Sequence, residues 1–334
     1  MTIGLTVDGR EVHQGTKYAS ALNAGFYYPN APKDYIRKLI QIPFTVICSK
    51  ESGPTLCVTA GMDPTEYPAI AAAIKLSIDT KPENIRGNLI IVHVSNILGF
   101  WERKYISSTD YKQLTSVFPG DVGGSTTEVM AHHIFQKFIS QANYYLDLHG
   151  SDGPESMLGH SAYYVTGNKN VDKKSEAMAK ALGYKYVEPH VIDMTSEPKR
   201  GATYKVSAMA GIPSALSELG EADYMYEEEV NGQFEAVRNV MRHLGMLNDE
   251  PARHTENQKI VDNTIIYVNH SGLFYAKAKL GEFLEKDDVI GYVKDLYGNT
   301  LEVLKAPARG TIVTMLHNPV VEENEAVILT YALF

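Results

Sequence analysis

Cysteine and tryptophan are scarce in this chain, at two and one among 334 residues. Two cysteines cannot build a disulfide scaffold. Cys48 and Cys57 fall in neighbouring apolar runs, FTVICSK and TLCVTAG, and read as small buried hydrophobes. Long hydrophobic stretches are missing too: no run approaches the roughly 18 apolar residues that a spanning helix requires. The N-terminal MTIGLTVDGREVHQG has no basic segment followed by an apolar one, so no secretory signal is read and a cytoplasmic location is expected. Basic residues are outnumbered, 31 Lys and Arg against 40 Asp and Glu, for a net charge of −9. A nucleic-acid partner would call for a basic face, so neither nucleic acid nor membrane is expected as a partner.

What is present is the composition of a well-packed globular protein, 44% hydrophobic and 21% charged. The length exceeds what one core usually fills, which implies about two domains. From residue 43 short β-rich runs alternate with helical ones. FTVICSK, TLCVTAG, NLIIVHVSN, YYLDLHG and IPSALSELG read as strands. EYPAIAAAIKLSI reads as a helix with Pro68 in its first turn. STTEVMAHHIFQKFISQA, SEAMAKALG and EEEVNGQFEAVRNVMRHLG read as three more, the last closed by a glycine. Alternation of this kind implies an α/β fold, a mostly parallel mixed sheet with helices on both faces. LNDEPARHTENQ breaks the pattern near residue 250, and short strands with glycine turns follow. We therefore expect a catalytic domain over residues 1–255 and a small all-β domain over 256–334.

Ligands of open α/β sheets bind beyond the carboxyl ends of the strands. Asp63 and Glu66 follow one such end in TAGMDPTEYPAI, His149 closes YYLDLHG, and Glu218 closes IPSALSELG. A catalytic zinc takes three N or O ligands and leaves a position open, while a carboxylate that is not a ligand moves a proton. The interval 149 − 66 = 83 suits ligands supplied by separate strands. Each residue also has a plainer explanation: Glu66 as a helix-dipole partner, His149 as a satisfied strand-end histidine.

Taken together, these segments resemble the succinylglutamate desuccinylase/aspartoacylase family of zinc-carboxypeptidase-like hydrolases. TAGMDPTEYPAI is similar to the family's AGxHGxExPG, SNILGFWER to NPxGFxxR, LTSVFPG to LNRxFPG, and YYLDLHG to DLHG; GIPSALSELG resembles the strand with the catalytic glutamate. The last segment resembles the β domain, barrel-sandwich-like, that many members append. The resemblance implies hydrolysis of an N-acyl amide with one Zn2+ per chain. It assigns Glu66 and His149 as ligands, Glu218 as general base and Arg103 as the oxyanion partner. It also implies that Asp147 orients His149 and that Asn96, Thr115 and Ser116 line the substrate site. A small-molecule substrate and a homo-oligomer are the expected partners.

Two departures stand out. Asp63 occupies the family's histidine position; it can still ligate through oxygen, giving an Asp-Glu-His site that tolerates other divalent ions. His93, near the end of NLIIVHVSN, is a possible replacement ligand, though a satisfied histidine beside the sheet end is the simpler reading; His132 and His133 read as structural. The second departure is Thr115-Ser116, where the family's Asn-Arg pair grips a substrate carboxylate. Hydroxyls carry no positive charge, so the expected substrate lacks the acidic group of N-acetylaspartate or N-succinylglutamate. Glu155 and Glu221 are candidates to attract a cation, with ordinary surface charge as the simpler reading. The alternative function is a member that has lost turnover and serves as a binding or regulatory protein. Lys294, in a segment that resembles a carrier domain, is read as unmodified.

Overall fold

The computed structural model describes residues 5–7, 10–27, 38–192, 200–247, 249 and 258–334, so most of the expected linker near residue 250 lies outside them. A short pair, β1 (Leu5–Val7) and β2 (Arg10–Val12), precedes two long strands, β3 (Thr16–Tyr27) and β4 (Lys38–Cys48). Alternation then follows: β5 (Thr55–Ala60), α1 (Tyr67–Asp79), β6 (Asn88–Val92), α2 (Ile97–Glu102), α3 (Thr126–Lys137) and β7 (Tyr144–His149). Next come β8 (Glu155–Val165), α4 (Lys169–Ala181), β9 (Tyr186–Val191), α5 (Thr203–Met209), β10 (Ser214–Glu221) and α6 (Glu227–His243).

The strands β6, β5, β7 and β10 lie side by side and parallel. On their flanks β4 and β3, and on the other side β8, join antiparallel, so the sheet is mixed as expected. The pleat sorts side chains onto two faces. Leu56, Val58 and Ala60 pack in one core with Ala69, Ala73 and Leu76 of α1 and with Val237 and Val240 of α6. Cys57 points the other way, into a core with Cys48, Phe44 and the α3 residues Met130 and Ile134. Both cysteines are buried and neither is in a disulfide, as read from the sequence. Burying side chains such as Phe44 fully stabilises by about 1.5–3 kcal/mol each, and this two-sided core holds the parallel strands rigid.

The C-terminal part contains β11 (Lys259–Ile260), β12 (Asn263–Tyr267), β13 (Gly272–Ala276), β14 (Phe283–Leu284) and β15 (Val289–Lys294). It ends with β16 (Thr300–Lys305), β17 (Gly310–Leu316), β18 (Val320–Val321) and β19 (Ala326–Leu333). A core of its own includes Phe274, Ile290, Val293, Ile312 and Tyr331. It is nevertheless hydrogen-bonded into the large sheet: β17 pairs with β8, and β11 with β9. Leu316 is opposite Glu155, and the His317 amide donates to the Pro154 carbonyl at 2.5 Å. The β-rich segment therefore braces the loop that follows His149. Within β15, the Lys294 ammonium lies 4.9 Å from the Tyr275 ring centre. Among the described residues no helix is long and apolar enough to cross a membrane.

Candidate metal centre and active site

Successive side chains of a strand alternate faces, so Tyr145, Asp147 and His149 of β7 share one. Register brings Thr59 of β5 beside Asp147 and Glu218 of β10 beside His149. The chain leaves β5 through Gly61, whose φ of +62 is one that a side chain rarely adopts; a Cβ there would sit 3.0 Å from Ile70. This turn delivers Asp63, and Glu66 follows at the cap of α1, with Pro68 just inside the helix. On the opposite rim, a Cβ at Gly220 would lie 2.7 Å from the Ser151 amide, so β10 and the loop after β7 approach too closely for a larger residue.

Asp63, Glu66 and His149 are all buried, and one ligand atom from each falls within 4.8 Å of the others. His149 Nδ1 is 3.2 Å from Asp63 Oδ2 and 3.1 Å from Glu66 Oε2. Its other nitrogen, Nε2, is 3.5 Å from Asp147 Oδ2. Asp147 is itself fixed: Thr59 Oγ1 donates to its Oδ1 at 2.7 Å and, with that proton committed, accepts from the Tyr145 hydroxyl at 2.6 Å. A neutral His149 that keeps its proton toward Asp147 turns an Nδ1 lone pair toward two carboxylates. Three electron-rich atoms then converge on one point, and only a cation or a proton can relieve them. Glu66 Oε2 is buried without a hydrogen-bond partner, which leaves it free for that task. The donor set, two oxygens and one nitrogen, fits a divalent ion such as zinc or a harder one.

The charges report the same crowding. Burial pushes the Glu66 carboxyl well up, with His149 acting against the shift. Burial also opposes the His149 imidazolium, but Glu66 and then Asp147 outweigh it and raise the group well above its ordinary range. Glu218 is half-buried, with Oε2 shielded and unpartnered. Its carboxyl is raised by burial and by the negative charges of Glu66, Glu155 and Asp63. A positive ion among these groups would favour all the carboxylates together.

The other sequence candidates are held by contacts of their own, and the Asn96 amide donates to the Gly61 carbonyl at 2.8 Å, against the turn that delivers Asp63. Asn96 caps α2, its Oδ1 accepting from the Gly99 amide at 3.0 Å. Arg103 closes α2 in left-handed conformation, φ 54, and is exposed. Ser116 is exposed and donates to the Gln113 carbonyl at 2.9 Å; Thr115 shares its 3-10 turn. Among the described residues no hydrogen bond or ion pair joins these four to the ligand group. His93 is paired with Thr45, Nε2 to Oγ1 at 3.0 Å, and stands apart from the cluster, so the satisfied-histidine reading holds. His132 and His133 meet edge to face on α3.

Glu155 and Glu221 separate here. Glu221 is exposed, an ordinary surface charge. Glu155 is half-buried, and burial with the charges of Asp152 and Asp63 raises its carboxyl to about 7. Asp152 and Tyr105 were not singled out in the sequence. Asp152 is buried, its Oδ1 has no partner, and burial raises its carboxyl, with the Tyr105 phenol acting against the shift. The available signal was position: Asp152 stands three residues past the strand-end histidine, and Tyr105 two past Arg103.

Comparison with known proteins matches residues 52–244 to the succinylglutamate desuccinylase/aspartoacylase catalytic domain. The chain belongs to that family. Its members are deacylases, so an amide-cleaving enzyme is the class to which this relative is assigned. One curated relative, the N-alpha-acetyl-L-2,4-diaminobutyric acid deacetylase of Halomonas elongata, is 26% identical over 77% of this chain and 75% of its own. Among solved structures, a succinylglutamate desuccinylase from Silicibacter sp. TM1040 superposes with TM-score 0.84 at 20% identity, covering 96% of each chain. The product-bound ectoine utilization protein EutE (DoeB) of Ruegeria pomeroyi gives TM-score 0.84 at 21% identity over 95% of each chain. These two likenesses establish a shared fold extending through the C-terminal β strands of this family member.

Proposed function

We propose that this family member is a metal-dependent deacylase that cleaves the amide of a small N-acyl compound. The observation that carries the reading is the convergence of Asp63, Glu66 and His149 within 4.8 Å, all buried, with Glu66 Oε2 unpartnered. A divalent ion held by these residues would supply Lewis acidity to the scissile carbonyl and to an attacking water. Glu218, next to His149 in register, accepts the proton of that water and returns it to the departing amine. Asp147 Oδ2, 3.5 Å from His149 Nε2, would take the ring proton on that side and leave the Nδ1 lone pair for an ion. Arg103 is the proposed oxyanion partner, and its permanent charge suits that task. Asn96, Thr115 and Ser116 remain the proposed substrate-side residues.

The substrate is proposed to lack the second carboxylate of N-acetylaspartate or N-succinylglutamate, since Thr115 and Ser116 offer it no charge. An N-acetylated diamino compound fits better, and the curated relative is named for one. The test couples metal analysis with hydrolysis of N-acetyl-2,4-diaminobutyrate and N-acetylaspartate. One divalent ion per chain in wild type, none in His149→Ala, and turnover reduced about 10²–10⁴-fold with the ion retained in Glu218→Gln are the expected results. A wild type that stays metal-free in excess zinc would replace this reading with a binding or regulatory role.

A further inference from the structure

Asp152 is a carboxylate that the deacylation step does not use. It is only 9% exposed, and its Oδ1 is buried with no hydrogen-bond partner. An orphaned carboxylate oxygen is costly unless something else completes it. Among the described residues no lysine or arginine forms an ion pair with Asp152 or with Glu155. The electrostatic neighbours of Asp152 instead include Asp63 and His149, so it stands against the ligand group and not out in solvent. Glu155 feels both Asp152 and Asp63, which puts a second acid on the same wall. Tyr105 lies close enough to sense Asp63, Glu66, Asp152 and Glu155 together. This second acidic pair is distinct from the Asp63-Glu66-His149 group, the one cluster of converging ligand atoms found among the described residues.

Building on the deacylase reading, we propose that Asp152 and Glu155 form an ammonium subsite, binding a free amino group of the substrate beside the scissile amide. Two carboxylates, one with an unfilled oxygen, match the three N–H donors and positive charge of a primary ammonium. Tyr105 is a positioning residue: burial raises the Asp152 carboxyl, and the Tyr105 phenol acts against that shift, as a bound ammonium would. The wall itself is held from behind. Ser151 Oγ donates to the Glu155 carbonyl and accepts from the Ala222 amide at 3.1 Å, and Glu155 lies opposite Leu316 of β17. The C-terminal β segment thus braces the backbone that carries the two acids.

The experiment compares kcat/KM for N-acetyl-1,3-diaminopropane and for its isostere with hydroxyl in place of the free amine. Wild type, Asp152→Asn, Glu155→Gln and Tyr105→Phe are measured with bound metal quantified in each. We expect wild type to favour the ammonium compound and each acid variant to reduce that ratio about thirtyfold or more, chiefly through KM, with the metal retained. Tyr105→Phe should reduce it less. Equal cleavage of both compounds by wild type, or a ratio unchanged in both acid variants, overturns the subsite and leaves the deacylase reading standing. Loss of the metal in Asp152→Asn also overturns it, because Asp152 would then be a ligand. If metal-loaded wild type cleaves neither these compounds nor N-acetyl-2,4-diaminobutyrate, the deacylase reading fails, and calorimetric titration with 1,3-diaminopropane decides the subsite: binding weakened in both acid variants upholds it, and binding indifferent to them refutes it.

Discussion

The strand-end cluster and the loop-borne rim of the site are built by different rules. His149 and Asp147 share a pleated face, Thr59 clamps Asp147 from the next strand, and Glu218 arrives by register. Each of these positions is dictated by hydrogen bonds of the parallel sheet. Arg103, Thr115 and Ser116, by contrast, sit in a left-handed helix end and a 3-10 turn, half-buried or exposed, with side chains not tied to the cluster. On the proposed deacylase reading, the contrast separates where this fold would keep its chemistry from where it would change substrate: strands fix the proposed reacting groups, and loops are free to exchange charge for hydroxyl.

The sharpest way to break the comparison is to loosen the rigid half without touching a proposed ligand. Asp147→Asn retains the shape but removes the charge that faces His149 Nε2. It should lower metal affinity by about 10–100-fold, measured by chelator competition. Thr59→Val, which deprives Asp147 Oδ1 of its donor, should move affinity the same way by a smaller factor. Unchanged affinity in Asp147→Asn would mean that the β7 face does not orient the histidine at all.

The opposite half is probed by restoring charge. Thr115→Asn with Ser116→Arg should shift the ratio of kcat/KM toward N-acetylaspartate over its amide by about tenfold, the worth of one charge-assisted pair on a half-exposed turn. Arg200 is the cation that could already fill this role in wild type. Its Nη1 is 3.0 Å from Glu128 Oε1, and Glu128 also takes Lys112 at 2.7 Å. Hydrogen bonds from Lys112 and Ser125 hold the Glu128 carboxyl down at about 2, so Arg200 is engaged with a firmly charged partner. A wild type that prefers the acid would require Arg200 to leave Glu128, and Arg200→Ala would abolish the preference.

How much was legible follows from the same division. Apolar runs such as TLCVTAG and NLIIVHVSN announce parallel strands because both faces are buried, and motif order along them located Asp63, Glu66, His149 and Glu218. Strand β8 was passed over because ESMLGHSAYYV mixes Gly159, His160 and Ser161 into its length; pairing with β10 along one edge, and with β17 and then β9 along the other, makes it a strand despite weak periodicity. Strand β3 was likewise missed, since it gains its order by pairing with β4 along most of its length. The β-rich C-terminal segment was recognised from its turns, but its pairing with β8 depends on contacts far apart in sequence. For that reason Glu155 looked like a surface charge, and Asp152 had no neighbours to give it meaning until the loop was closed.

The smallest expected effect tests whether a histidine near the cluster belongs to either half. His93 is half-buried and bonded to Thr45, and burial, with the nearby charge of Lys17, lowers its ring to about 4 from an ordinary 6.5. Between those values the unfolded chain holds more protons on this residue than the folded one. Its contribution to stability therefore rises with pH through that window and is lost as the solution is acidified from 6.5 toward 4. His93→Asn keeps a hydrogen-bonding partner for Thr45 and removes the titration. The urea midpoint of the variant should vary less with pH across this window than that of wild type, and its bound metal should be unchanged. Because other carboxylates titrate in the same range, the quantity to compare is the difference between the two proteins at each pH. A variant that lost its metal would make His93 a ligand after all, and would move it from the sheet's supporting structure into its chemistry.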